Sequence, residues 1–561
     1  MKRIVARLVA AALLLTGCTT TTTPPPAPPA PPAPPTAPPA QDPSGDLAVR
    51  ACAPEGLLLP AAALDSCGLR ITEAVNARLT RIDPATGQPE LDLAEAIDTA
   101  DSLTFTVRLA RGRLFHDGTE VKARNIVSAW NWAAYGPHQI PAQSWFSIID
   151  GGAAMTCPAE GTCSKDVLPT ELAGLRILDD YSFTIRTVSP VGDLRARLAH
   201  PAFSPLPDAF FAMDDEGRET FTLEPIGSGP FRIAGITPTE TTLAAFEDYT
   251  GTPRPRVQNV TLRRYDAPEQ GLDAFRAYND VVANTLDYTE VIPTDQLVDD
   301  LWQRDLPERH GTWDTRSVQV LNFIAGDSHL TDPRIRRAIS MAIDRQALAR
   351  QVFAGTREPA TSWVSPAVPD YPADACGELC AYDLAEARAL FTEAGGYPEV
   401  FRITVNEDGG HKQWADALCN QLKNTLELDC QVNLLDNQAQ VLEALARGEL
   451  TGMVRQGSPV EAVSTGALSA ETALGAYASD SGRNRVGYRN PEFDARFNAA
   501  RDVTTREGAL EAYHAAELLL REDPPSVPLW FASTPYGYST RISDVRLSPF
   551  GNLDLTAVRR S

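Results

Sequence analysis

The chain has 561 residues and a formal net charge of −23 at pH 7, with 73 acidic and 50 basic side chains. This length is enough for two or three domains with large cores. A protein this acidic repels nucleic acid and anionic lipid headgroups, so neither is expected as a binding partner.

The first residues have the pattern of a secretory signal. Lys2, Arg3 and Arg7 precede a short apolar segment, Leu8–Leu15, which is too short to span a bilayer as a stable helix. No later apolar run approaches the length of a membrane span. The residues Leu15-Thr16-Gly17-Cys18 resemble a bacterial lipobox, which implies a signal peptide over 1–17 and lipidation of the Cys18 thiol. The alternative is an ordinary signal in which the cysteine occurs by chance.

A proline-rich segment follows, and residues 18–45 are predicted to be a tether. Eleven prolines fall between Pro24 and Pro39, and such a run cannot form the hydrogen-bond ladders of helix or sheet. We expect extended polyproline II at about 3.1 Å per residue, or roughly 50 Å in all. The folded body would then be held away from the outer face of the cytoplasmic membrane, and the lipid would be its only membrane contact.

The nine cysteines fit an oxidising, exported setting. With Cys18 assigned to the lipid, the other eight fall into near neighbours, and four local disulfides are the simplest of about a hundred possible connectivities. The predicted pairs are Cys52 with Cys67, Cys157 with Cys163, Cys376 with Cys380, and Cys419 with Cys430. A zinc site that uses Cys376 and Cys380 is the alternative, but no second pair has matching spacing and exported thiols usually oxidise.

The clearest local signals follow residue 102. Alternating apolar residues over 103–109 predict a half-buried strand. The strand leads into RGRLFHDG at Arg111–Gly118, which ends in an Asp-Gly hairpin turn. His116 in this turn is predicted to bond to local backbone groups. A helix is predicted over 123–135.

Aromatic residues are concentrated in and after this helix. Trp130 and Trp132 are interpreted as core residues rather than ligand contacts. Trp145 and Phe146 follow in a polar, loop-like stretch, so packing and contact with a ligand both remain open for these two side chains.

Three later helices have start and stop signals. The start signals are Asp332 before Pro333, Asp383 with Glu386, and Asn490 before Pro491. The stop signals are Gly355 for the first helix and Gly395 for the second. The tight turn Gly227–Pro230 lacks the lysine and the spacing of a phosphate loop, so nucleotide binding is not expected.

Six motifs occur in order along the chain. They are LTFTVRLARGRLFHDGTEVKARNIVSAWNW (Leu103–Trp132), PIGSGPFRI (Pro225–Ile233), DPRIRRAISMAIDRQAL (Asp332–Leu348), YDLAEARALFTEAGG (Tyr382–Gly396), NRVGYRNPEFDARF (Asn484–Phe497) and DPPSVPLWF (Asp523–Phe531). Together they resemble the family 5 extracellular solute-binding proteins, the oligopeptide-binding lipoproteins of ABC importers. The similarity covers Asp46–Arg560. PATSWVSP with the cysteine pair before Tyr382 resembles an actinobacterial branch.

The resemblance implies an α/β, two-lobed periplasmic-binding-protein-like fold of the class II type, with an extra N-terminal subdomain and two hinge crossings. Lobe I would comprise 46–90, 223–315 and 529–561, with the extra subdomain at 91–222; lobe II would comprise 316–528. The ligand would lie between the lobes, which would close on it by a hinge motion.

The residues give little support to catalysis. None of the seven histidines lies in HExxH, no GxSxG elbow occurs, and paired thiols leave no Cys-His site. Abundant carboxylates do not by themselves exclude a glycosidase. The whole-chain resemblance argues against an enzyme, and no metal, nucleotide or other cofactor is expected.

The family's ligand loop corresponds to Gly452–Val463 (GMVRQGSPVEAV). Relatives typically have Gly-Trp, two residues, then Asp-Tyr-Pro, in which the aspartate takes a peptide's ammonium. By position, Ser458 replaces the tryptophan and Glu461 the aspartate, while Ala462 and Val463 replace the tyrosine and proline. Glu461 keeps the charge that a buried ammonium needs, but two large aromatic surfaces are missing.

Two interpretations of this loop remain open. In the first, Glu461 still captures an amine and the enlarged pocket accepts a bulkier peptide. In the second, peptide capture has lapsed and the cleft serves another solute or a non-transport role in the envelope. Glu461 could also be a solvated loop charge.

The prediction is therefore a monomeric, lipid-anchored receptor that delivers an oligopeptide or related solute to an ABC permease. Its predicted cleft residues are Trp145, Phe146, Ser458, Glu461 and Trp530. The alternative is the same fold recruited to regulate envelope assembly.

Overall fold

The computed structural model of the chain describes residues 45–54, 57–63, 66–84, 86–157, 168–265, 273–297, 300–368, 370–406, 411–436, 438–455, 470–481, 484, 486–503, 505–548 and 550–561. The chain separates into two units, Met1–Gln41 and Asp42–Ser561. The predicted signal peptide, Cys18 and nearly all of the predicted tether lie outside the described residues. No helix among those described is long and apolar enough to cross a membrane.

The second unit is mixed α/β, as predicted. Its described strands are β1 (Asp46–Ala51), β2 (Thr80–Ile82), β3 (Pro89–Leu91), β4 (Ala94–Thr99), β5 (Thr104–Leu109), β6 (Leu175–Asp179), β7 (Ser182–Arg186), β8 (Phe231–Ile236), β9 (Glu240–Ala245), β10 (Asn259–Arg264), β11 (Tyr288–Thr289), β12 (His310–Phe323), β13 (Arg357–Pro359), β14 (Phe401–Asn406), β15 (Cys430–Leu435), β16 (Met453–Val454), β17 (Ser526–Tyr538), β18 (Ile542–Ser543) and β19 (Arg559–Arg560).

The described α-helices are α1 (Ser66–Val75), α2 (Ala123–Ala134), α3 (Leu194–Arg197), α4 (Asp208–Ala212), α5 (Asp215–Leu223), α6 (Asp273–Val282), α7 (Thr294–Leu297), α8 (Leu301–Asp305), α9 (Pro333–Met341), α10 (Arg345–Phe353), α11 (Leu384–Glu393), α12 (His411–Leu426), α13 (Gln438–Ala446), α14 (Ala470–Leu474), α15 (Pro491–Arg501) and α16 (Arg506–Glu522). Short 3₁₀ segments occupy Gly136–His138, Gln143–Ile148, Ala153–Met155, Pro201–Phe203, Ser328–Leu330 and Gly377–Cys380.

Eleven of the described strands form one large sheet. Its order is β15-β14-β16-β12-β17-β11-β1-β10-β9-β8, and β13 also pairs with β17. On one side β14 runs parallel to β15 and β16, and on the other β1 runs parallel to β10 and β11. The long antiparallel strands β12 and β17 lie between these two parallel groups and join them.

The pairing of β12 with β17 is irregular near its middle. The register shifts between Asp314 and Val318 and again between Gln319 and Val320. Extra residues on one strand of a pair bend the ladder and increase its local twist. The predicted lobe boundaries, at 315/316 and 528/529, fall within these two strands. The exact division of the chain at these points remains a prediction.

A second sheet has the order β4-β5-β7-β6 and lies within the predicted extra subdomain. The strand predicted over 103–109 is confirmed as β5, and Phe105, Val107 and Leu109 on one face are buried. The predicted helix is confirmed as α2, one residue shorter than expected. Trp130 on α2 is completely buried and donates its indole hydrogen bond to the Phe203 carbonyl at 3.0 Å, which confirms it as a core residue.

The apolar interior is divided into separate clusters. The subdomain core surrounds β5, β7 and α2. A second core lies around β14, α9, α10 and α12, and a third around β1 and β8–β10. A fourth, the helical core, is formed by α14, α15, α16 and the segment 363–379.

The predicted helix starts are confirmed by capping hydrogen bonds. Carboxylate oxygens of Asp332 and Asp383 accept from the amides of Arg334 (2.8 Å) and Glu386 (3.0 Å), and Asn490 accepts from Glu492 and Phe493 (both 3.1 Å). The predicted stop at Gly395 is confirmed, with φ of 86°, whereas Gly355, with φ of 79°, follows α10 and not the helix that starts at Pro333.

One helix prediction was wrong. The helix expected from Pro333 to Gly355 is two helices, α9 and α10, and the second begins at Arg345. Asp344 accepts a hydrogen bond from the Ala347 amide at 2.8 Å. A short acidic side chain competes for backbone amides in this way, and it starts a new helix where apolar periodicity alone suggested continuation.

Three of the four predicted disulfides are present. They join Cys52 to Cys67, Cys376 to Cys380, and Cys419 to Cys430. Cys163 lies outside the described residues, so the fourth pairing, with Cys157, stays a prediction. The Cys376–Cys380 bond replaces the alternative zinc site, since these sulfurs are bonded to each other.

His116 bonds to backbone, as predicted, but not locally. Its Nδ1 accepts from the Gly227 amide at 3.2 Å, and its Nε2 lies 3.1 Å from the Gly229 carbonyl oxygen. The turn that contains these glycines packs directly against the end of α1. A Cβ added at Gly227 would lie 1.8 Å from the Val75 carbonyl oxygen, so only glycine fits there.

Candidate ligand-binding site

A buried polar cluster lies where parallel strands of the large sheet end. Asn406 is the last residue of β14, and Arg455 directly follows β16. The Arg455 amide donates to the Thr404 carbonyl at 2.9 Å, which continues the ladder between these strands. Carboxyl ends of parallel strands are where α/β sheets most often bind ligands.

Arg455 is the central member of this cluster. Only 1% of its surface is exposed, and Asn406 is exposed by 4%. The guanidinium donates from Nη1 to Asn406 Oδ1 at 2.8 Å and from Nε to Gln319 Oε1 at 3.3 Å. A guanidinium in this setting needs such bonds because burial removes its hydration. We call Gln319, Asn406 and Arg455 the polar cluster.

The polar cluster lies at the irregular part of the crossing strands. Gln319 is on β12 opposite Trp530 of β17, immediately beside the second register shift. The sheet is therefore least regular where it carries a buried cation. A guanidinium at such a position has the fixed fork of donors that carboxylates bind best.

Arg455 lies within the predicted ligand loop, Gly452–Val463, of which residues 452–455 are described. Ser458 and Glu461 both lie outside the described residues, so their predicted contact with ligand remains a prediction. The polar cluster was not predicted from sequence. A short apolar pair, Met453-Val454, followed by arginine was the available signal, but two residues are too few to identify a strand.

The structure places the three predicted aromatic residues in two different cores. Trp145 is half-buried, stacks on His200 with ring centroids 4.1 Å apart, and packs against the subdomain core. Phe146 has no exposed surface and contacts Trp130 and Phe203. In this conformation the Phe146 ring is a packing residue with no surface to offer a ligand.

Trp530 is also buried. It is 3% exposed and packs between Phe353 and Trp414, with centroid distances of 4.8 and 5.2 Å. Its indole belongs to the core beneath β14 rather than to an open surface. Among the described residues there is no group of three or more His, Cys, Asp or Glu side chains that could hold a metal ion.

The comparisons with known proteins identify the family of this chain. The family model for bacterial extracellular solute-binding proteins, family 5, matches residues 88–467. The chain therefore belongs to this family of extracellular solute-binding proteins, and it is a binding protein rather than an enzyme.

Curated relatives cover most of the chain at low identity. The chain is 23% identical over 451 residues to the periplasmic oligopeptide-binding protein OppA of Haemophilus influenzae, covering 77% of this chain and 78% of OppA. It is 24% identical over 438 residues to the probable deoxycholate-binding periplasmic protein YgiS of Escherichia coli, covering 76% and 77%.

Solved structures show the same fold. The murein tripeptide-binding protein MppA, in an unliganded open form, superposes with a TM-score of 0.74 at 18% identity, covering 92% of this chain and 97% of MppA. The oligopeptide-binding protein AppA of Bacillus subtilis, in complex with a nonapeptide, superposes with a TM-score of 0.69 at 19% identity, covering 92% and 99%. The predicted two-lobed α/β fold is thereby confirmed.

Proposed function

We propose that this chain is a lipid-anchored receptor that captures an oligopeptide, or a related carboxylate-bearing solute, between its two lobes and delivers it to an ABC importer. The observation that carries this proposal is the buried polar cluster at the strand ends, from which the predicted ligand loop continues. Family membership supplies the role of solute receptor.

The charges near the carboxyl ends of β14 and β16 suit a zwitterionic ligand. Arg455 provides a buried guanidinium, and Glu461 follows in the same stretch of sequence with a carboxylate. A peptide carries an ammonium at one end and a carboxylate at the other; Glu461 would pair with the ammonium, and Arg455, which is bonded to Asn406 and Gln319, would pair with the carboxylate only in a conformation that exposes its guanidinium. Hydrogen bonds to the peptide backbone would add affinity without side-chain specificity.

The relatives' names support a class of solute rather than one compound. Proteins similar to this chain are named for oligopeptide, dipeptide, glutathione and deoxycholate binding. All four solutes carry a carboxylate. The loss of two aromatic positions at Ser458 and Ala462 supports a ligand bulkier than those held by an aromatic-walled pocket.

The remaining parts of the proposal concern architecture. Lipid on Cys18 would anchor the chain, and the proline-rich tether would extend it from the membrane. Lobe I would comprise 46–90, 223–315 and 529–561 with the subdomain at 91–222, and lobe II would comprise 316–528. Closure of the lobes would be the signal that the permease recognises.

The first prediction tests ligand class by thermal unfolding of the full-length chain. A library of tri- to hexapeptides should raise the melting temperature, because a ligand at 100 times its dissociation constant stabilises by about 2.7 kcal/mol. Glutathione and deoxycholate serve as comparison solutes. Stabilisation by deoxycholate alone would indicate that the ligand is a carboxylate other than a peptide. No stabilisation by any of the three would contradict solute capture.

A matched pair of variants then tests the two charges. Glu461→Gln should weaken a measured peptide affinity at least tenfold, and Asn406→Asp should also weaken it, because a carboxylate beside Nη1 of Arg455 would compete with the ligand for the guanidinium. Glu449→Gln, at an exposed charge, is the control and should bind as the wild type does. A Glu461→Gln protein with unchanged affinity would remove the ammonium role and leave the rest of the proposal intact.

The second candidate is a non-transport role in the cell envelope. The departure from the family's Gly-Trp and Asp-Tyr-Pro residues at 457–463 favours it. Permease and ATPase genes beside this gene would support import, whereas envelope-synthesis genes would support the regulatory role.

A further inference from the structure

Apart from the crossing strands β12 and β17, a group of charged side chains also joins the predicted subdomain to the predicted lobe II. Arg197 at the end of α3 donates from Nε to Asp193 Oδ1 at 2.8 Å and from Nη2 to Glu471 on α14. The other oxygen of Glu471 lies 3.2 Å from Nε of Arg501 on α15. We call Asp193, Arg197, Glu471 and Arg501 the ion network.

The ion network joins residues that flank two different apolar clusters. Leu194 and Leu198, on either side of Arg197, belong to the subdomain core. Glu471 lies between Ala470 and Leu474 of the helical core, and Arg501 follows Ala500 of that core. The ion network therefore connects the predicted subdomain to the helical region around α14–α16, and we call these two parts of the fold the two bodies.

The two bodies also border a cleft that is partly open to solvent. A cavity of about 530 Å³ lies beside the ion network, between Ile97 and Leu194 on the subdomain and Leu510 and Tyr513 on α16. Protein cores are close-packed and hold few voids of such size. Two surfaces that meet around a cavity lose less packing when they part than two halves of a core would.

Burial makes the ion network stronger than a surface pair. The side chains of Arg197 and Glu471 are each 14% exposed, and that of Asp193 is 17% exposed. Burial acts to lower the pKa of Arg197, but the carboxylates of Asp193 and Glu471 outweigh it and the pKa is raised. The guanidinium is thus charged and paired on both sides of the interface, where screening by salt and water is weaker than at a surface.

A weaker polar contact lies at the same interface. Gln88 donates to Asp370 at 3.0 Å, and both residues are exposed. Gly192 lies close to the other body, because a Cβ added to it would be 3.4 Å from the Val503 carbonyl oxygen. Each of these contacts would be lost if the distance between the two bodies increased.

We propose that the ion network is a closure latch, which holds the extra subdomain against lobe II and sets how much of the ligand-free protein is closed. The latch goes beyond the proposed solute function, because it acts without ligand and does not depend on which solute is captured. When the bodies part, Arg197 and Glu471 lose each other as partners. The homologous fold is known in an open form for MppA.

The latch has a consequence for any ligand that binds the closed form. Apparent affinity scales with the fraction of protein that is competent to bind. A weakened latch lowers the closed fraction, so it lowers apparent affinity by the same factor without touching the ligand. Its effect on conformation is measurable when no ligand has been identified.

The test is single-molecule energy transfer in the full-length, ligand-free chain, with dyes on unnatural amino acids at exposed Glu216 and Glu511. Arg197→Gln and Glu471→Gln should each lower the ratio of closed to open molecules by about fivefold. The double variant should lose no more than the larger single loss, because both changes break one bond. Arg197→Lys keeps a charge and should give an intermediate ratio.

The control is an ion pair that lies within one helix. Arg496 and Glu492 pair at 2.9 Å on α15 with side chains at least half exposed, so Arg496→Gln with Glu492→Gln should leave the ratio unchanged. Circular dichroism establishes that each variant is folded. An unchanged ratio in the folded Arg197→Gln and Glu471→Gln proteins, or a wild type with no closed molecules, overturns the latch. If Arg197→Gln does not fold, Arg197→Lys and Glu471→Gln decide the outcome.

Discussion

At the scale of single residues, Glu517 shows how one buried group organises a long segment. It is completely buried on α16. One carboxylate oxygen accepts from the Ser362 hydroxyl (2.7 Å) and the amides of Trp363 (2.7 Å) and Val364 (3.1 Å). The other accepts from the Tyr371 hydroxyl at 2.6 Å. Burial raises the pKa of Glu517, although these hydrogen bonds act to lower it.

These bonds predict different effects for two substitutions at Glu517. Glu517→Gln keeps the oxygen that accepts three bonds, and its amide can donate to the Tyr371 hydroxyl, so it should cost about 1 kcal/mol or less. Glu517→Leu leaves several buried donors without an acceptor and should lower the free energy of unfolding by about 3 kcal/mol or more. Chemical denaturation with a common m-value measures both costs, and equal costs would contradict the proposed bonding.

At the scale of elements, helix α9 is fixed at its start by Asp332. This carboxylate accepts from the Arg334 amide at 2.8 Å, and Pro333 occupies the first helical position, where no amide hydrogen is needed. The Arg334 side chain also pairs with Asp332 at 2.7 Å, but both are well exposed, so this pair adds little.

Asp332→Ala should therefore lower the free energy of unfolding by about 1 kcal/mol through loss of the cap. Asp332→Asn is the matched control, because it keeps an acceptor for the Arg334 amide and removes only the charge. It should stay within about 0.5 kcal/mol of the wild type. A large loss in both variants would assign the effect to the ion pair with Arg334 and not to the cap.

At the scale of the whole molecule, the buried His200 and the half-buried His116 make the free energy of unfolding depend on pH. Burial lowers the pKa of His116 to about 4 and that of His200 to about 3. Between their ordinary value of 6.5 and these values, the unfolded chain binds protons that the folded chain cannot. Stability therefore falls as pH falls through this range, by on the order of 1.4 kcal/mol per pH unit for each histidine.

His200→Gln should flatten this dependence by about one proton between pH 6 and 4. The measurement is the free energy of unfolding across that range for wild type and variant. Phe203→Leu, in the same aromatic group as His200 and Trp145, carries no titrating atom and should lower stability equally at each pH. An identical slope for wild type and His200→Gln would show that His200 is protonated in the folded protein.

Short-range features were predictable because their causes lie within a few residues. The caps at Asp332, Asp383 and Asn490, the strand β5 and three neighbouring disulfides each depend on local spacing. The break between α9 and α10 was missed because one capping side chain at Asp344 outweighed the apolar periodicity around it. At the candidate site, the loop at 457–463 was chosen from sequence by family resemblance, and its contacts remain predictions.

By itself, the sequence determined the α/β class, the family and the character of a binding protein, because motif order and apolar periodicity survive at low identity. Only the tertiary structure decided which charges come together. Arg455 meets Gln319 across 136 residues and Arg197 meets Glu471 across 274. Such pairs depend on how strands and helices far apart in sequence are placed in the fold, and no local pattern in the chain encodes that placement. For the same reason, Phe146 and Trp530, which were predicted to line the cleft, lie in two different cores.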